Sequence, residues 1–422
     1  MVVISRNDKK YRHSKSENVD FELMARMTAP IEHFKGVKSQ IPESISFFEM
    51  YNIKTPEEIP VKSLGEQNSC HKTLSVPLGV RGQNDIVSLN LHEKAHGPHG
   101  LIAGTTGSGK SELVQSYILS LAINFSPYEV GFLLIDYKGG GMANLFADLP
   151  NLLGTITNLD GSESVRALTS IKAELSRRQK IFYDHNINSI NQYTKMFRAH
   201  EVDEPLPHLF IISDEFAELK KDQPEFMSEL VSIARIGRSL GVHLILATQK
   251  PGGVVDDQIW SNSNFKIALK VQNESDSKDV LKTPDAAHIV QTGRAYLQVG
   301  NNEIYELFQS AWSGAPYRPE EVAQGFDSRV YRINQIGQGE LLNDDLSAGA
   351  ESNDTKFTQL DVTVKYLKEQ FAQVKKQDVT KPWIPSLPEK LISSFIQNIP
   401  DVGAIKDYNP SVQIGVVDIP EE

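Results

Sequence analysis

The residues with the most evident chemistry are Gly104-Thr105-Thr106-Gly107-Ser108-Gly109-Lys110-Ser111, which fill every required position of the loop G-x-x-x-x-G-K-[ST]. Its glycines let backbone N–H groups turn inward and cradle phosphate oxygens. Lys110 reaches the β- and γ-phosphates of a nucleotide, and the Ser111 hydroxyl suits Mg²⁺. Such a loop needs a metal carboxylate at the end of a second apolar strand. His208-Leu209-Phe210-Ile211-Ile212-Ser213-Asp214-Glu215 supplies one. Asp214 at the strand tip can hold Mg²⁺ through water, and Glu215, pointing another way, can activate a lytic water. The pair favours ATP hydrolysis over a switch of the GTPase kind.

A third apolar run, Val242-His243-Leu244-Ile245-Leu246-Ala247, ends in Thr248-Gln249. If this strand lies between the other two, Gln249 sits beside the γ-phosphate, as a sensor or to orient water, with Thr248 as the alternative. Phosphoryl-transfer motors often borrow an arginine from the next subunit. Arg166 is the first candidate, early on a helix that Asp160-Gly161-Ser162 can cap, and a surface ion pair is its equal alternative. Arg177, Arg178, Arg235 and Arg238 compete, the last two in a position where cations suit a helix dipole. Asp136-Tyr137-Lys138-Gly139-Gly140-Gly141 implies a close backbone approach or a mobile loop, with no catalytic role assigned. His92, His96 and His99 read as structural, because Gly97-Pro98 interrupts any helix that would align them.

The elements that must hold these residues follow from the hydrophobic pattern. Gly100–Ala103 is a strand running into the phosphate loop, and Glu112 to Leu121 is a helix running out, so phosphates meet a helix N-terminus. Strands are expected at Val130–Ile135, Leu209–Ile212, Val242–Ala247 and Phe265–Leu269, with helices at Glu163–Tyr183 and Phe226–Leu240. β-branched and leucine runs separated by helices predict a parallel sheet covered on both faces. Leu74–Val80 with Ile86–Leu91, and Ala295–Val299 with Glu303–Leu307, read as hairpins. Further on, Phe357, Leu360, Val364, Leu367, Phe371 and Val374 form a heptad seam on a helix of about six turns stopping before Pro382. Packing on its own domain is the expected use of that seam, and a short coiled coil is the alternative.

The chain has 422 residues and a balance of 43 basic against 54 acidic side chains, a net charge of −11, which disfavours a role whose main task is gripping a polyanion. One cysteine, Cys70, excludes an internal disulfide framework. No apolar run is long enough to span a bilayer, and no signal peptide is visible. Arg6, Lys9, Lys10, Arg12 and Lys15 can lie on an anionic membrane or form a solvated tail. The expected division is 1–70, the end of a preceding membrane-proximal segment; 71–318, the ATPase domain; 319–385, a linker with an amphipathic helix; and 386–422, the start of a following module. That last expectation rests on Val412-Gln413-Ile414-Gly415-Val416, which echoes Val76-Pro77-Leu78-Gly79-Val80.

Taken together, these motifs resemble the FtsK/SpoIIIE ATPases, a RecA-like branch of the additional-strand P-loop proteins. More narrowly, they are similar to the first ATPase module of the EssC/EccC motors of type VII secretion. The likeness rests on Gly97-Pro98-His99-Gly100 before the phosphate loop, Asp136 to Gly141, Ile212 to Leu219, Ala234 to Leu244 and Ala247 to Pro251, and is dense from Val76 to Pro316. It implies an α/β fold with a central, mainly parallel sheet, an N-terminal β-hairpin and a C-terminal helical linker. It also implies a membrane-anchored, multi-module ATPase at the cytoplasmic face of the bacterial plasma membrane. Such a motor forms hexamers, contacts its other ATPase modules and moves small helical proteins of the WXG100 type. By the same analogy Arg166 matches the arginine finger and Glu215 the catalytic glutamate. Two other functions share the motifs: a DNA translocase, disfavoured by the acidic charge, and a regulatory ATP-binding module with little turnover.

Overall fold

The computed structural model describes residues 2–6, 9–13, 41–82, 85–136, 141–157, 161–255, 257–318, 331–333, 339–341, 357–372 and 379–382. The chain divides into two units, Met1–Gln40 with Arg318–Lys356, and Ile41–Tyr317 with Phe357–Glu422. In the smaller unit, Val2–Arg6 pairs antiparallel with Lys9–His13, and Tyr331–Ile333 with Gly339–Leu341. Arg6, Lys9, Lys10 and Arg12 lie on the first of these ribbons, while Lys15 falls outside the described residues.

The larger unit is built on one sheet of ten strands. In chain order these are β1 (Ser75–Gly82), β2 (Asp85–Asn90), β3 (Gly100–Ala103), β4 (Val130–Asp136), β5 (Leu152–Ile156), β6 (His208–Asp214), β7 (Val242–Thr248), β8 (Phe265–Ala268), β9 (Arg294–Val299) and β10 (Ile304–Ser310). Their spatial order is β2-β1-β10-β9-β8-β3-β7-β6-β4-β5. From β8 to β5 every pairing is parallel. Strands β9, β10, β1 and β2 extend the β8 edge antiparallel. The two expected hairpins, β1–β2 and β9–β10, are thus neighbours on one flank.

Alternate side chains of the parallel strands enter two separate cores, as a sheet covered on both faces requires. Phe132, Leu134, Phe210, Ile212, Ile245 and Ala247 pack with helix α1 (Lys110–Asn124). Twelve of the fifteen residues of α1 are buried, consistent with a helix that is apolar nearly all round. Leu133, Ile135, Leu209, Ile211, Leu244 and Leu246 face the other way, toward helices α2 (Gly161–Asp184), α3 (Phe216–Asp222) and α4 (Pro224–Gly237).

Both flanking segments join the first core. Phe47, Phe48 and Met50, within the segment expected to end a preceding region, are buried against it. A capping box between Ser46 and Glu49 starts their short helix, Phe47–Tyr51. The heptad helix is shorter than its spacing suggests: it runs Gln359–Gln370, because Thr358 caps it in a reciprocal bond with Asp361 and Phe371 ends it. Phe357 therefore precedes the helix and is 60% exposed, while Leu360, Val364 and Leu367 are buried in the sheet's own core. Val374 and residues 412–416 fall outside the described residues. Gln359 seals the join, its Oε1 accepting from the Phe48 N–H at 3.0 Å.

Candidate active site

The phosphate loop crosses from the C-terminal end of β3 to the first turn of α1. Its neighbours hold it by backbone bonds: the Gly104 N–H donates to Thr248 O (3.1 Å), the Thr105 N–H to Lys270 O (2.9 Å), and the Gly293 N–H to Ser108 O (2.8 Å). The turn needs Gly107 and Gly109, whose φ values are +78° and +94°, in the left-handed region that side chains disfavour. A Cβ on Gly109 would also lie 2.9 Å from the Gly293 nitrogen. Ser108 is buried, and Ser111 stands exposed at the start of α1.

Strand β7 lies between β3 and β6, the arrangement on which the reading of Gln249 depended. Lys110, 3% exposed, forms an ion pair with Asp214 at the tip of β6. Glu215 follows in a left-handed conformation (φ 59°), unusual for a side chain of its size and common where a functional site imposes the backbone. Its Oε1 accepts from Thr248 Oγ1 and from the Gln249 N–H, both at 3.2 Å. Its Oε2 is buried with no hydrogen-bond partner among the described residues. Gln249 reaches the loop through its side chain, Thr106 Oγ1 donating to Gln249 Oε1 at 2.8 Å. Lys110, Asp214, Glu215, Thr248, Gln249 and Thr106 thus converge at one end of three adjacent strands. Ser111 hydroxyl and Asp214 carboxylate oxygens are hard donors of the kind Mg²⁺ takes.

Asp136 has a part that sequence reasoning left unassigned. It ends β4 in register with Asp214 on β6, and its Oδ2 accepts from the Met142 N–H at 3.0 Å, which ties down the chain beyond the glycines. Residues 137–140 themselves fall outside the described residues.

The arginines separate by burial. Arg178, 1% exposed, donates to Glu174 Oε1 (2.7 Å), Leu240 O (2.8 Å) and Pro207 O (2.8 Å), so it is a structural clamp, not a candidate finger. Arg177 pairs with Glu174 and Glu204. Burial pushes the Glu174 carboxyl up, but Arg178 and Arg177 outweigh it and hold the group below its usual range. Arg235 and Arg238 are exposed near the end of α4, and Arg166 is half-buried early on α2, across the sheet from α1.

His92 and His99 are buried, and the Nδ1 atoms of His92, His96 and His99 accept from the N–H groups of Lys94, Asn90 and Leu244. His99 belongs with His208 and His243 at the opposite end of the strands from the site, where His208 and His243 stack and share a 2.9 Å hydrogen bond. Burial pulls His208 down to about 3, His99 to about 4, and His243 well below the ordinary imidazole value.

The comparisons agree with this geometry. The chain is 58% identical over 418 residues to the type VII secretion system protein EssC of Staphylococcus aureus, covering 98% of this chain and 28% of that protein. It is 52% identical over 383 residues to the ESX secretion system protein YukB of Bacillus subtilis, covering 90% of this chain and 25% of that one. It therefore spans little more than a quarter of the relatives it matches. Among solved structures, the cytoplasmic domain of the Thermomonospora curvata type VII secretion ATPase EccC superposes with a TM-score of 0.65 at 28% identity, covering 82% of this chain and 36% of that one. Residues 65–253 match the sequence model of the FtsK/SpoIIIE family. The chain carries an FtsK/SpoIIIE-family P-loop domain.

Proposed function

We propose that this domain binds Mg²⁺ and ATP, hydrolyses the γ-phosphate, and serves as one motor module in a type VII secretion machine. The observation that carries the reading is the Lys110–Asp214 pair, with Glu215 held beside it by the tip of β7. The loop amides and Lys110 bind the phosphates, and Ser111 and Asp214 would hold the metal, which when bound would supply charge neutralisation at the transferred group. Glu215 accepts the proton of the attacking water through its unpartnered Oε2, while Thr248 and the Gln249 N–H fix the carboxylate through Oε1. Gln249, bonded to Thr106, senses whether the loop is filled.

The likeness to EssC and EccC supports a hexamer in the full machine, with neighbouring ATPase modules and small helical WXG100-type proteins as partners. It also supports a location at the inner face of the bacterial plasma membrane. Arg166 is the arginine proposed to enter a neighbour's site. The proposed division keeps 1–70 as the end of a preceding segment, 71–318 as the ATPase domain, 319–385 as a linker whose amphipathic helix packs into that domain's core, and 386–422 as the start of the next module.

The test is steady-state ATP hydrolysis by Glu215→Gln. The amide keeps an Oε1 acceptor for Thr248 and Gln249 but removes the base. Turnover falls about 10²- to 10⁴-fold while ATP affinity stays within about twofold. Equal turnover by wild type and variant, with neighbouring modules present as well as absent, rejects the catalytic reading.

A further inference from the structure

Among the described residues two lysines are nearly sealed from solvent, Lys110 and Lys266, each 3% exposed. Lys110 is paired with Asp214. Lys266, on β8, has no counter-charge: among the described residues no carboxylate, carbonyl or hydroxyl bonds its ammonium, which lies over the Trp260 ring at 3.8 Å from the centroid. The Lys282 ammonium approaches the same ring at 4.8 Å. An aromatic face offsets only part of the cost of taking a cation out of water. Burial, with repulsion from Lys282 added, pulls Lys266 down to about 8. A desolvated lysine beside a second cation is an amine nucleophile near neutral pH.

Three elements fix this arrangement. Trp260 stands on the short helix Asp257–Asn262, and its Nε1 donates to Val280 O at 2.9 Å. Lys282 closes the helix Glu274–Leu281 in a left-handed conformation (φ 62°), its N–H donating to Lys278 O at 3.1 Å. Gln298 on β9 sits directly opposite Lys266 in the antiparallel register, so their side chains share one face. Its Nε2 donates to Leu281 O at 3.1 Å and to Asn302 Oδ1. Its Oε1 is buried with no hydrogen-bond partner among the described residues. An uncompensated amine, a second cation and an idle acceptor therefore meet on one face of the sheet.

An electrophile for this amine must be small, because 3% exposure excludes bulky acyl donors. Its product must be an anion that keeps a donor, since the groups left to receive it are a cation and an acceptor. Carbon dioxide, linear and uncharged, meets both conditions. Its carbon takes the lone pair of the neutral amine. One N–C bond forms, the electron pair of one C=O bond moves onto oxygen, and one proton leaves the nitrogen for solvent. Nothing is oxidised or reduced. The resulting carbamate carries one negative charge and retains one N–H. Lys282 suits the charge and Gln298 Oε1 suits the N–H. Repulsion between two cations becomes an ion pair.

We propose that Lys266 is a site of reversible carboxylation by carbon dioxide, with Lys282 as counter-ion of the carbamate and Gln298 as acceptor for its N–H. The site shares no residue with the phosphate loop and stands whether or not that loop binds nucleotide. It borders the loop in the fold, however. Strand β8 pairs with β3, and Lys270 O, just beyond β8, accepts from the Thr105 N–H.

The experiment incubates the 422-residue chain with ¹³C-bicarbonate, fixes carbamates by alkylation with triethyloxonium and locates them by peptide mass spectrometry. The chain's α-amino group, ordinarily near about 8, is the positive control. At pH 7.5 Lys266 is labelled at least tenfold above any exposed lysine, because its neutral fraction exceeds theirs by more than about a hundredfold. Lys110, equally buried but paired with Asp214, stays unlabelled. Between pH 6.5 and 8, at fixed dissolved carbon dioxide, the Lys266 label rises at least tenfold. Lys282→Gln, at an exposed position, lowers the Lys266 label about fivefold and leaves the α-amino label unchanged. A labelled α-amino group with Lys266 unlabelled, or labelled no more than exposed lysines, overturns the proposal. So does a Lys266 label that Lys282→Gln leaves unaltered. Either result leaves the phosphate site standing.

Discussion

Replacing Arg178 by methionine tests how the site is held from a distance. The guanidinium joins α2 to the residues just before β6 and β7, through Pro207 O and Leu240 O. Those two strands carry Asp214 and Gln249 at their far ends. Removing one partner of a buried ion pair costs about 3–5 kcal/mol. Here Glu174 keeps Arg177, at 2.8 and 3.1 Å, which softens the electrostatic loss. Two carbonyls lose charged donors, however, at about 1–3 kcal/mol each, so the total stays near 3–5 kcal/mol. At roughly 2–4 °C per kcal/mol this lowers the melting temperature by about 6–20 °C. Calorimetric or fluorescence melts provide the assay, with Arg177→Met as control: that guanidinium is 26% exposed and its loss costs about 1 kcal/mol or less. The double variant Glu174→Leu/Arg178→Met recovers little of the loss, because Glu174 already keeps Arg177 in the single variant and the carbonyls of Pro207 and Leu240 stay without their donors. ATP affinity well below the transition stays within about threefold, since no group near the phosphates changes. If Arg178→Met melts no lower than Arg177→Met, the clamp argument fails.

Three further outcomes follow from the same geometry. Thr248→Val lowers turnover about ten- to a hundredfold with KM nearly unchanged, and Thr248→Ser restores it, because the hydroxyl both positions Glu215 and accepts from the Lys250 N–H at 3.1 Å. Stability falls as pH drops from 7 to 5: His208, His99 and His243 stay neutral when folded, whereas the unfolded chain protonates near pH 6.5, at up to about 1.4 kcal/mol per pH unit for each ring. His208→Gln flattens that slope by about a third, as read from melts across the pH series. Leu367→Ala, at a fully buried position of the return helix, lowers urea stability by about 2–5 kcal/mol, and a smaller loss would mean that this helix is not part of the domain core.

The local chemistry was legible in the sequence because each part of it is written within a few consecutive residues. The phosphate loop, the apolar run ending in Asp214-Glu215 and the run ending in Thr248-Gln249 each declare a strand and its tip. The condition placed on Gln249, a central β7, is met. What escaped depends on pairings far apart in the chain. Nothing near Arg178 announces that its partners are the carbonyls of 207 and 240, and nothing near Trp312 announces Glu112 or Ile45. Two boundaries are written locally: Ser46-Phe47-Phe48-Glu49 and Thr358-Gln359-Leu360-Asp361 are both capping patterns, and the second excludes Phe357 from the helix that its spacing suggests. Spacing alone could not show this, since an apolar residue just before a cap keeps the rhythm of the seam without sharing its burial.

The position of β3 has a consequence for how the protein is made. It carries the phosphate loop, yet both of its neighbours, β7 and β8, are translated long afterwards. Lys110 waits 104 residues for Asp214, Thr106 waits 143 for Gln249, and Phe48 waits 311 for Gln359. During synthesis the loop therefore emerges on a strand with two bare edges, the kind of surface that recruits other chains. Ribosome-bound or truncated products ending before residue 268 will cling to chaperones or aggregate, and ATP will not rescue them.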